Sequence, residues 1–330
     1  MTKVFSGVQP TGDGPHIGNY IGAFRQWVAL QEEYEAFFCV VDLHSMTAAW
    51  DPAELAKRTR QTVATLMACG IDPDRSVLFA QSDVPEHTNL TWLLTCIARM
   101  GELGRMTQFK DKSRGRESES VGAGLFMYPV LMAADVLVYR AQRVPVGEDQ
   151  RQHLELMRVL AQRFNRQFGD TFPVPEALIP KQGARIMALD DPTQKMSKSE
   201  ERPGSNIWML DEPDVVRRKI SRAVTDSGRD VRYGPDKPAI SNLLDIYASV
   251  SGRSIDELVA AYGEGGYATL KSDLAEAVIE FLQPFQHRYA ELTDDWDQVE
   301  KVMDLGADKA REAAAETMAL VRERVGFRRA

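Results

Sequence analysis

Two short segments far apart in the chain carry residue types that suit a nucleoside triphosphate better than a protein core. They are Pro15-His16-Ile17-Gly18-Asn19 and Lys195-Met196-Ser197-Lys198-Ser199. The two lysine ammonium groups repel each other, and the serines add hydroxyl donors without an apolar anchor. Nearby anionic oxygens turn that repulsion into attraction. Gly7, Gly12, Gly14 and Gly18 surround His16, and glycine lets backbone N–H groups approach phosphate oxygens at a helix start. The glycines match neither a Walker loop nor a dinucleotide fingerprint. Taken alone they also read as tight-turn residues beside a hydrogen-bonded histidine, and the lysines alone as solvated surface. Together the two segments favour phosphate binding. Lysines that tighten on a departing pyrophosphate as its charge develops accelerate the reaction without a covalent role. Each such contact contributes about 1.5–3 kcal/mol, and a loop carrying them is expected to close over the nucleotide.

Asp135 is the one carboxylate in Leu131-Met132-Ala133-Ala134-Asp135-Val136-Leu137. Buried there, it needs a partner. Two readings stay open: a structural bond within the core, or a ligand N–H that lets a site select a heteroaromatic ring over a plain phenyl ring. Phe5, Met132 and Val146 could wall such a ring, with core packing as the alternative for each.

The elements that must position these groups follow from hydrophobic periodicity. Residues 4–8 read as a strand broken by Gln9-Pro10-Thr11-Gly12. A helix is expected from Gly18, with Tyr20, Ile21, Phe24, Trp27, Val28 and Leu30 near helical spacing. The apolar run 36–41 ends in Asp42-Leu43-His44, as a buried parallel strand would. Asp51-Pro52-Ala53-Glu54 opens another helix; 76–81 reads as a strand and 85–100 as a helix. This alternation implies an α/β fold, a Rossmann-like doubly wound parallel sheet with helices on both faces. Ligands in such sheets sit outside the carboxyl ends of the strands, where Gly7, Gln9, His44 and Gln81 fall. Residues 109–124 have charge but no apolar stripe and read as a mobile surface loop. Then come a helix over 127–138, a strand and polar turn over 143–150, a helix over 153–168, and a connection over 173–180. Beyond the lysine loop, 215–224, 241–250, 254–262, 267–289, 296–304 and 308–325 read as helices, giving a C-terminal helical domain. The expected division is 1–190 and 191–330, with part of the second region returning to the first; a single domain is also compatible.

Over 330 residues, 44% apolar and 27% charged is the composition of a soluble globular protein. The net charge of −8, from 48 acidic and 40 basic residues, offers no global positive field, so any nucleic-acid contact rests on local patches. The chain opens without a basic leader and apolar run, and it has no apolar stretch of about 20 residues. Cys39, Cys69 and Cys96 are few, widely spaced and set in apolar surroundings. They read as buried thiols in a reducing, cytoplasmic setting rather than a zinc site or disulfide framework.

With Phe5-Ser6-Gly7-Val8-Gln9-Pro10-Thr11-Gly12, Gly101-Glu102-Leu103, Met106-Thr107-Gln108-Phe109-Lys110, Met132-Ala133-Ala134-Asp135, Val144-Pro145-Val146-Gly147-Glu148-Asp149-Gln150 and Ala223-Val224-Thr225-Asp226-Ser227, the chain resembles the class I aminoacyl-tRNA synthetases, and among them the bacterial tryptophan enzymes. The resemblance implies ATP-dependent activation of L-tryptophan to tryptophanyl-adenylate, release of pyrophosphate, and transfer to the terminal adenosine of tRNA-Trp. It also implies assistance by Mg2+ without a protein metal site, and a homodimer bridged by tRNA. Carried over by motif, His16, Asn19, Lys112, Lys195 and Lys198 are the catalytic residues. Gln9, Thr11, Gly12, Gly18, Asn19, Gly147, Asp149, Ile186, Lys195, Met196, Ser197 and Lys198 are the ATP-binding set. Tryptophan would meet Phe5, Gly7, Gln9, His44, Tyr128, Met132, Asp135, Val136, Val146 and Gln150, with Asp135 accepting the indole N–H. The common signature ends in a second histidine where this chain has Asn19, which keeps an N–H donor without the option of charge. The loop between Lys112 and Tyr128 is slightly longer than the usual family version. Arg99, Arg105, Lys110, Lys112, Arg114 and Arg116 form a positive run interrupted by Glu102 and Asp111, suited to an acceptor stem. Arg322, Arg324, Arg328 and Arg329 would approach the anticodon or form a solvated helix end. A tyrosine enzyme, a nucleotidylyltransferase and a non-enzymatic RNA-binding module are the competing readings.

Overall fold

The computed structural model describes residues 1–10, 14–114, 121–147, 150–178, 185–197, 202, 204–263 and 265–328. In chain order, β1 (Lys3–Val8) leads through α1 (Ile17–Asn19) and a π-wound stretch (Tyr20–Phe24) into α2 (Arg25–Glu33). Then come β2 (Glu35–Val40), α3 (Asp42–Ser45), α4 (Pro52–Ala68), β3 (Val77–Ala80) and α5 (Glu86–Ile97). These are followed by α6 (Met100–Leu103), α7 (Thr107–Ser113), α8 (Ala123–Leu137), β4 (Arg143–Pro145), α9 (Arg151–Phe168) and β5 (Glu176–Leu178). The described remainder holds the helices α10 (Pro213–Arg222), α11 (Pro238–Ser251), α12 (Ile255–Tyr262), α13 (Gly266–Asp294) and α14 (Trp296–Val325).

The five strands form one parallel sheet in the order β3-β2-β1-β4-β5. Its winding reverses between β1 and β4, which creates a crevice at their carboxyl ends. Successive side chains of a strand point to opposite faces. Phe38 therefore enters an apolar cluster with α2, α4 and the helical region, while neighbouring Phe37 enters a second cluster with α5, α8 and α9.

Several elements differ from expectation. Residues 109–113 belong to helix α7, where a loop was expected; Phe109 stacks edge-on against Phe126 and gives the charged segment an anchor. The connection over 173–180 contains β5, an edge strand of three residues. Helix α14 is continuous, although Gly306 in a polar stretch reads as a break. Val299 and Met303 enter the first cluster, and Ala307, Ala310, Ala314, Met318 and Val321 enter the second, so this helix crosses the β3 edge of the sheet. A Cβ on Gly306 would lie 1.8 Å from the carbonyl oxygen of Leu78, so glycine is what lets the helix backbone rest on the strand. Cys39 and Cys69 are buried as expected, whereas Cys96 is exposed on α5.

Helix propensity alone makes Gly→Ala favourable by about 1 kcal/mol. The contact with Leu78 reverses the sign: Gly306→Ala should lower the unfolding free energy by about 2–3 kcal/mol, read from the urea midpoint. A stabilised variant would contradict the packing.

Candidate active site

His16 caps α1 and is locked from both sides. Its Nδ1 accepts from the Asn19 N–H and Asn19 Oδ1 accepts from the His16 N–H, each at 3.2 Å. The segment is joined to a distant part of the chain by an antiparallel bridge between His16 and Trp208. There the Ile17 N–H donates to Ile207 O at 2.8 Å and the Met209 N–H to Pro15 O at 2.9 Å. A Cβ on Gly18 would lie 3.0 Å from His16 Nδ1 and 3.5 Å from Ile186 Cβ. Glycine therefore allows the imidazole and the base of the lysine loop to close over the helix start.

That base is a narrow backbone ladder. The Ala188 N–H donates to Gln194 O at 2.8 Å and the Met196 N–H to Ile186 O at 3.2 Å. Ile186 and Met196, each 2% exposed, enter the same apolar cluster as Ile17. Asn242 of α11 accepts from the Met187 N–H at 2.8 Å and donates to Met187 O at 3.0 Å, pinning the outer edge. Asn206 Nδ2 donates to Ser197 O at 2.6 Å. Lys195 projects from this ladder and is exposed. Lys198, Thr11, Gly12, Asp149, Arg116 and Arg329 lie outside the described residues. Asn242 was not expected at the site; its signal is a polar side chain on the apolar face of α11.

A cavity of about 350 Å³ opens between the ends of β1 and β4. All ten expected tryptophan contacts line it: Phe5, Gly7, Gln9, His44, Tyr128, Met132, Asp135, Val136, Val146 and Gln150. Thr47, Gln108 and Lys112 line it as well. A Cβ on Gly7 would lie 2.9 Å from Val41 Cγ1, so the glycine keeps β1 close to that wall. The Tyr128 hydroxyl donates toward Gln108 Oε1 at 3.3 Å and lies 2.8 Å from His153 Nε2. Burial pushes its pKa up to about 12, so the phenol is neutral. Lys112 sits 5.4 Å from the Tyr128 ring centroid, at the aromatic cavity. Gly147 is exposed, and its carbonyl accepts from the Gln150 N–H at 3.0 Å. Glu102 does not oppose the neighbouring cations freely: it pairs with Arg163 of α9, which holds its carboxyl below the usual range.

Asp135, 2% exposed, is the centre of a buried polar network. His44 Nε2 lies 2.7 Å from Oδ2. Gln81 Nε2 donates to Oδ1 at 2.6 Å, and His87 Nδ1 lies 2.7 Å from the same oxygen. The other nitrogen of His87 meets the Tyr139 hydroxyl at 2.8 Å. Burial pushes the carboxyl pKa up, but the charge and hydrogen bond of His44, with those of His87, outweigh it and hold the group at about 2. An ionised carboxylate has roughly four acceptor positions; three are used here, and one remains on Oδ2. Asp135 is thus internally bonded, and it also lines the cavity. The sequence reasoning missed His87, in the polar first turn of α5, and Tyr139, just past the end of α8.

Because the folded pKa lies below the usual value near 3.8, the carboxylate stabilises the fold above about pH 4, and this is lost as pH falls toward about 2. The contribution is roughly 2 kcal/mol. Asp135→Asn should be less stable than the parent by at least that amount at pH 7, and the gap should narrow on acidification, measured by urea unfolding from pH 7 to pH 3. A constant gap contradicts the assignment.

The family described as tRNA synthetases class I (W and Y) matches residues 1–283. The tryptophan--tRNA ligase of Caldanaerobacter subterraneus subsp. tengcongensis is 54% identical over 328 residues, 99% of each chain. The tryptophanyl-tRNA synthetase structure from Mycoplasma pneumoniae superimposes with a TM-score of 0.87 at 36% identity, covering 99% of this chain and 98% of the other. That from Campylobacter jejuni, solved with ADP and tryptophan, gives 0.86 at 35% identity, covering 99% and 100%. With motifs, sheet order and full-length similarity in agreement, the chain belongs to the class I aminoacyl-tRNA synthetases, within the bacterial tryptophan--tRNA ligases.

Proposed function

We propose that this chain activates L-tryptophan with ATP, releasing pyrophosphate, and transfers the tryptophanyl group to the 3' terminal adenosine of tRNA-Trp. The observation that carries this reading is an ionised, internally bonded Asp135 facing an apolar cavity at the switch point of the sheet. Phe5, Met132, Val136 and Val146 suit the faces and edges of an indole ring, and the remaining acceptor position on Asp135 suits its N–H. The Campylobacter relative, with ADP and tryptophan bound, supports a nucleotide beside the amino acid.

In this reading Gln9, Tyr128 and Gln150 orient the ammonium and carboxylate of the amino acid. The carboxylate oxygen attacks the α-phosphorus and pyrophosphate leaves. His16, Gly18 and Asn19, with Thr11 and Gly12, hold phosphate oxygens. Gly147 and Asp149 serve the ribose, and Ile186 and Met196 the adenine. Lys112, Lys195, Ser197 and Lys198 follow the charge as it moves to the leaving group. Among the described residues no cluster of three His, Cys, Asp or Glu side chains gathers to hold a metal. Mg2+ would therefore enter on triphosphate oxygens and water, as this ion commonly does, and supply charge neutralisation there.

Exposed Arg99, Arg105, Lys110 and Arg114 support a local surface for the acceptor stem. Arg324 donates to Phe168 O at 3.4 Å, so part of the terminal arginine group is used within the fold. Trp92 (68% exposed) and Cys96 lie one turn apart on α5 as a short exposed stripe, and exposed Met100 (74%) opens α6; this apolar surface suits the homodimer. Buried Cys39 and Cys69, and the lack among described residues of a helix able to cross a membrane, accord with a cytoplasmic location. The working division remains a Rossmann-like region 1–190 and a region 191–330 with the lysine loop and helices.

Pyrophosphate exchange into ATP should require tryptophan and not tyrosine; the reverse dependence overturns the reading. Lys195→Ala should slow that exchange about 100-fold with tryptophan affinity changed less than about threefold, and equal losses would argue against action in the transition state. Trp92→Glu should halve the mass found by light scattering, whereas an unaltered dimer removes this stripe from the interface.

A further inference from the structure

A second cavity, of about 570 Å³, adjoins the tryptophan cavity and shares Gln9, His44, Thr47 and Lys112 with it. It is built where the turn after α3 meets the start of α4, and Trp50, Ser45 and Arg58 line its far side. We propose that this cavity receives the terminal adenosine of the tRNA, with the Trp50 ring stacking on the base and Lys112 meeting its 5' phosphate. The inference rests on the tRNA-charging reading above and assigns the place where the acyl acceptor waits.

Two features favour this occupant. Trp50 is 48% exposed and belongs to neither apolar cluster, so core packing does not account for an indole at the cavity wall. An accessible aromatic ring beside cations is the pattern that captures a single-stranded base irrespective of its hydrogen-bonding edge. The carboxylates of the cavity are already engaged. Asp51 accepts from the Ala53 and Glu54 N–H groups at 2.9 and 3.0 Å, and Glu54 pairs with Lys57 and Arg58 at 3.6 and 3.4 Å. What remains suits an uncharged nucleoside with one phosphate at the Lys112 side.

The shared wall gives the arrangement its chemical sense. An adenosine in the second cavity turns its ribose toward Gln9, where the activated carboxyl lies. A ribose hydroxyl oxygen attacks the carbonyl carbon of the aminoacyl adenylate and a C–O ester bond forms. The bond from that carbon to the phosphate oxygen breaks, AMP departs with the electron pair, and the hydroxyl proton passes to a departing phosphate oxygen.

The test uses the full-length enzyme with intact tRNA-Trp and with tRNA-Trp lacking its terminal adenosine. Trp50→Ala should lower single-turnover transfer from preformed adenylate at least tenfold at subsaturating tRNA, against less than about threefold for tryptophan-dependent pyrophosphate exchange. Trp50→Phe, which keeps a stacking face, should recover most of the transfer. Trp50→Ala should weaken binding of intact tRNA and leave binding of the shortened tRNA at the parental value. Equal losses in exchange and transfer, parental transfer by Trp50→Ala, or equal weakening of both tRNAs overturns the assignment. If the parent itself shows no tryptophan-dependent exchange, the functional reading fails separately, before Trp50 is tested.

Discussion

Asp135 carries an ionised charge at a depth where water cannot solvate it, and a charge so placed is tolerable only when protein donors surround it. The donors come from three different places: His44 from α3, Gln81 from the turn after β3, and His87 from α5. Satisfying one carboxylate on α8 therefore fixes how four parts of the fold meet. The carboxyl ends of β2 and β3 are drawn toward α8, α5 is held against Tyr139, and the floor of the aromatic cavity acquires one orientation. Such networks are costly when incomplete and restrictive when complete, which suits a site that must present a single acceptor position.

The nucleotide side is built on a different principle. Its charged groups stand on backbone that is bonded to other parts of the chain: His16 to Trp208 and Met187 to Asn242 across long sequence separations, and Met187 to Lys195 within the lysine loop. Glycine at position 18 lets these strands of chain close to van der Waals contact. The lysine segment thus has a buried, pinned base and an exposed Lys195. On the proposed role, the cation would respond to developing charge while its anchor holds position.

The aromatic cavity opens at Gln9 and the ends of β1 and β4, and the sheet order explains why. A doubly wound sheet leaves its crevice where the chain reverses direction, and here the residues flanking the reversal are Gly7, Gln9 and Val146. Lys112, Thr47 and His44 continue that crevice into the adjoining cavity. On the proposed assignments the carboxylate oxygen would meet the α-phosphorus in activation and the adjoining carbonyl carbon would meet the ribose hydroxyl in transfer, so one carboxyl group would serve both steps.

Local residue patterns were sufficient for the alternation of strands and helices, because apolar runs such as 36–41 and amphipathic stretches such as Arg151–Phe168 are governed by burial of their own side chains. Motif resemblance picked out ten of the residues that line the aromatic cavity. Tertiary structure decided what depends on distant partners. The edge strand β5 exists because β4 offers it a ladder. The helical start of the 109–124 segment exists because Phe126 offers Phe109 a contact, and α14 runs unbroken because Leu78 accepts Gly306 at its backbone. The exposure of Cys96 and the roles of His87, Asn242 and Trp50 belong to the same class. Residue type and spacing set what a side chain can do, but the donors around a buried charge and the ring at a cavity wall are chosen by which parts of the chain the fold brings into contact.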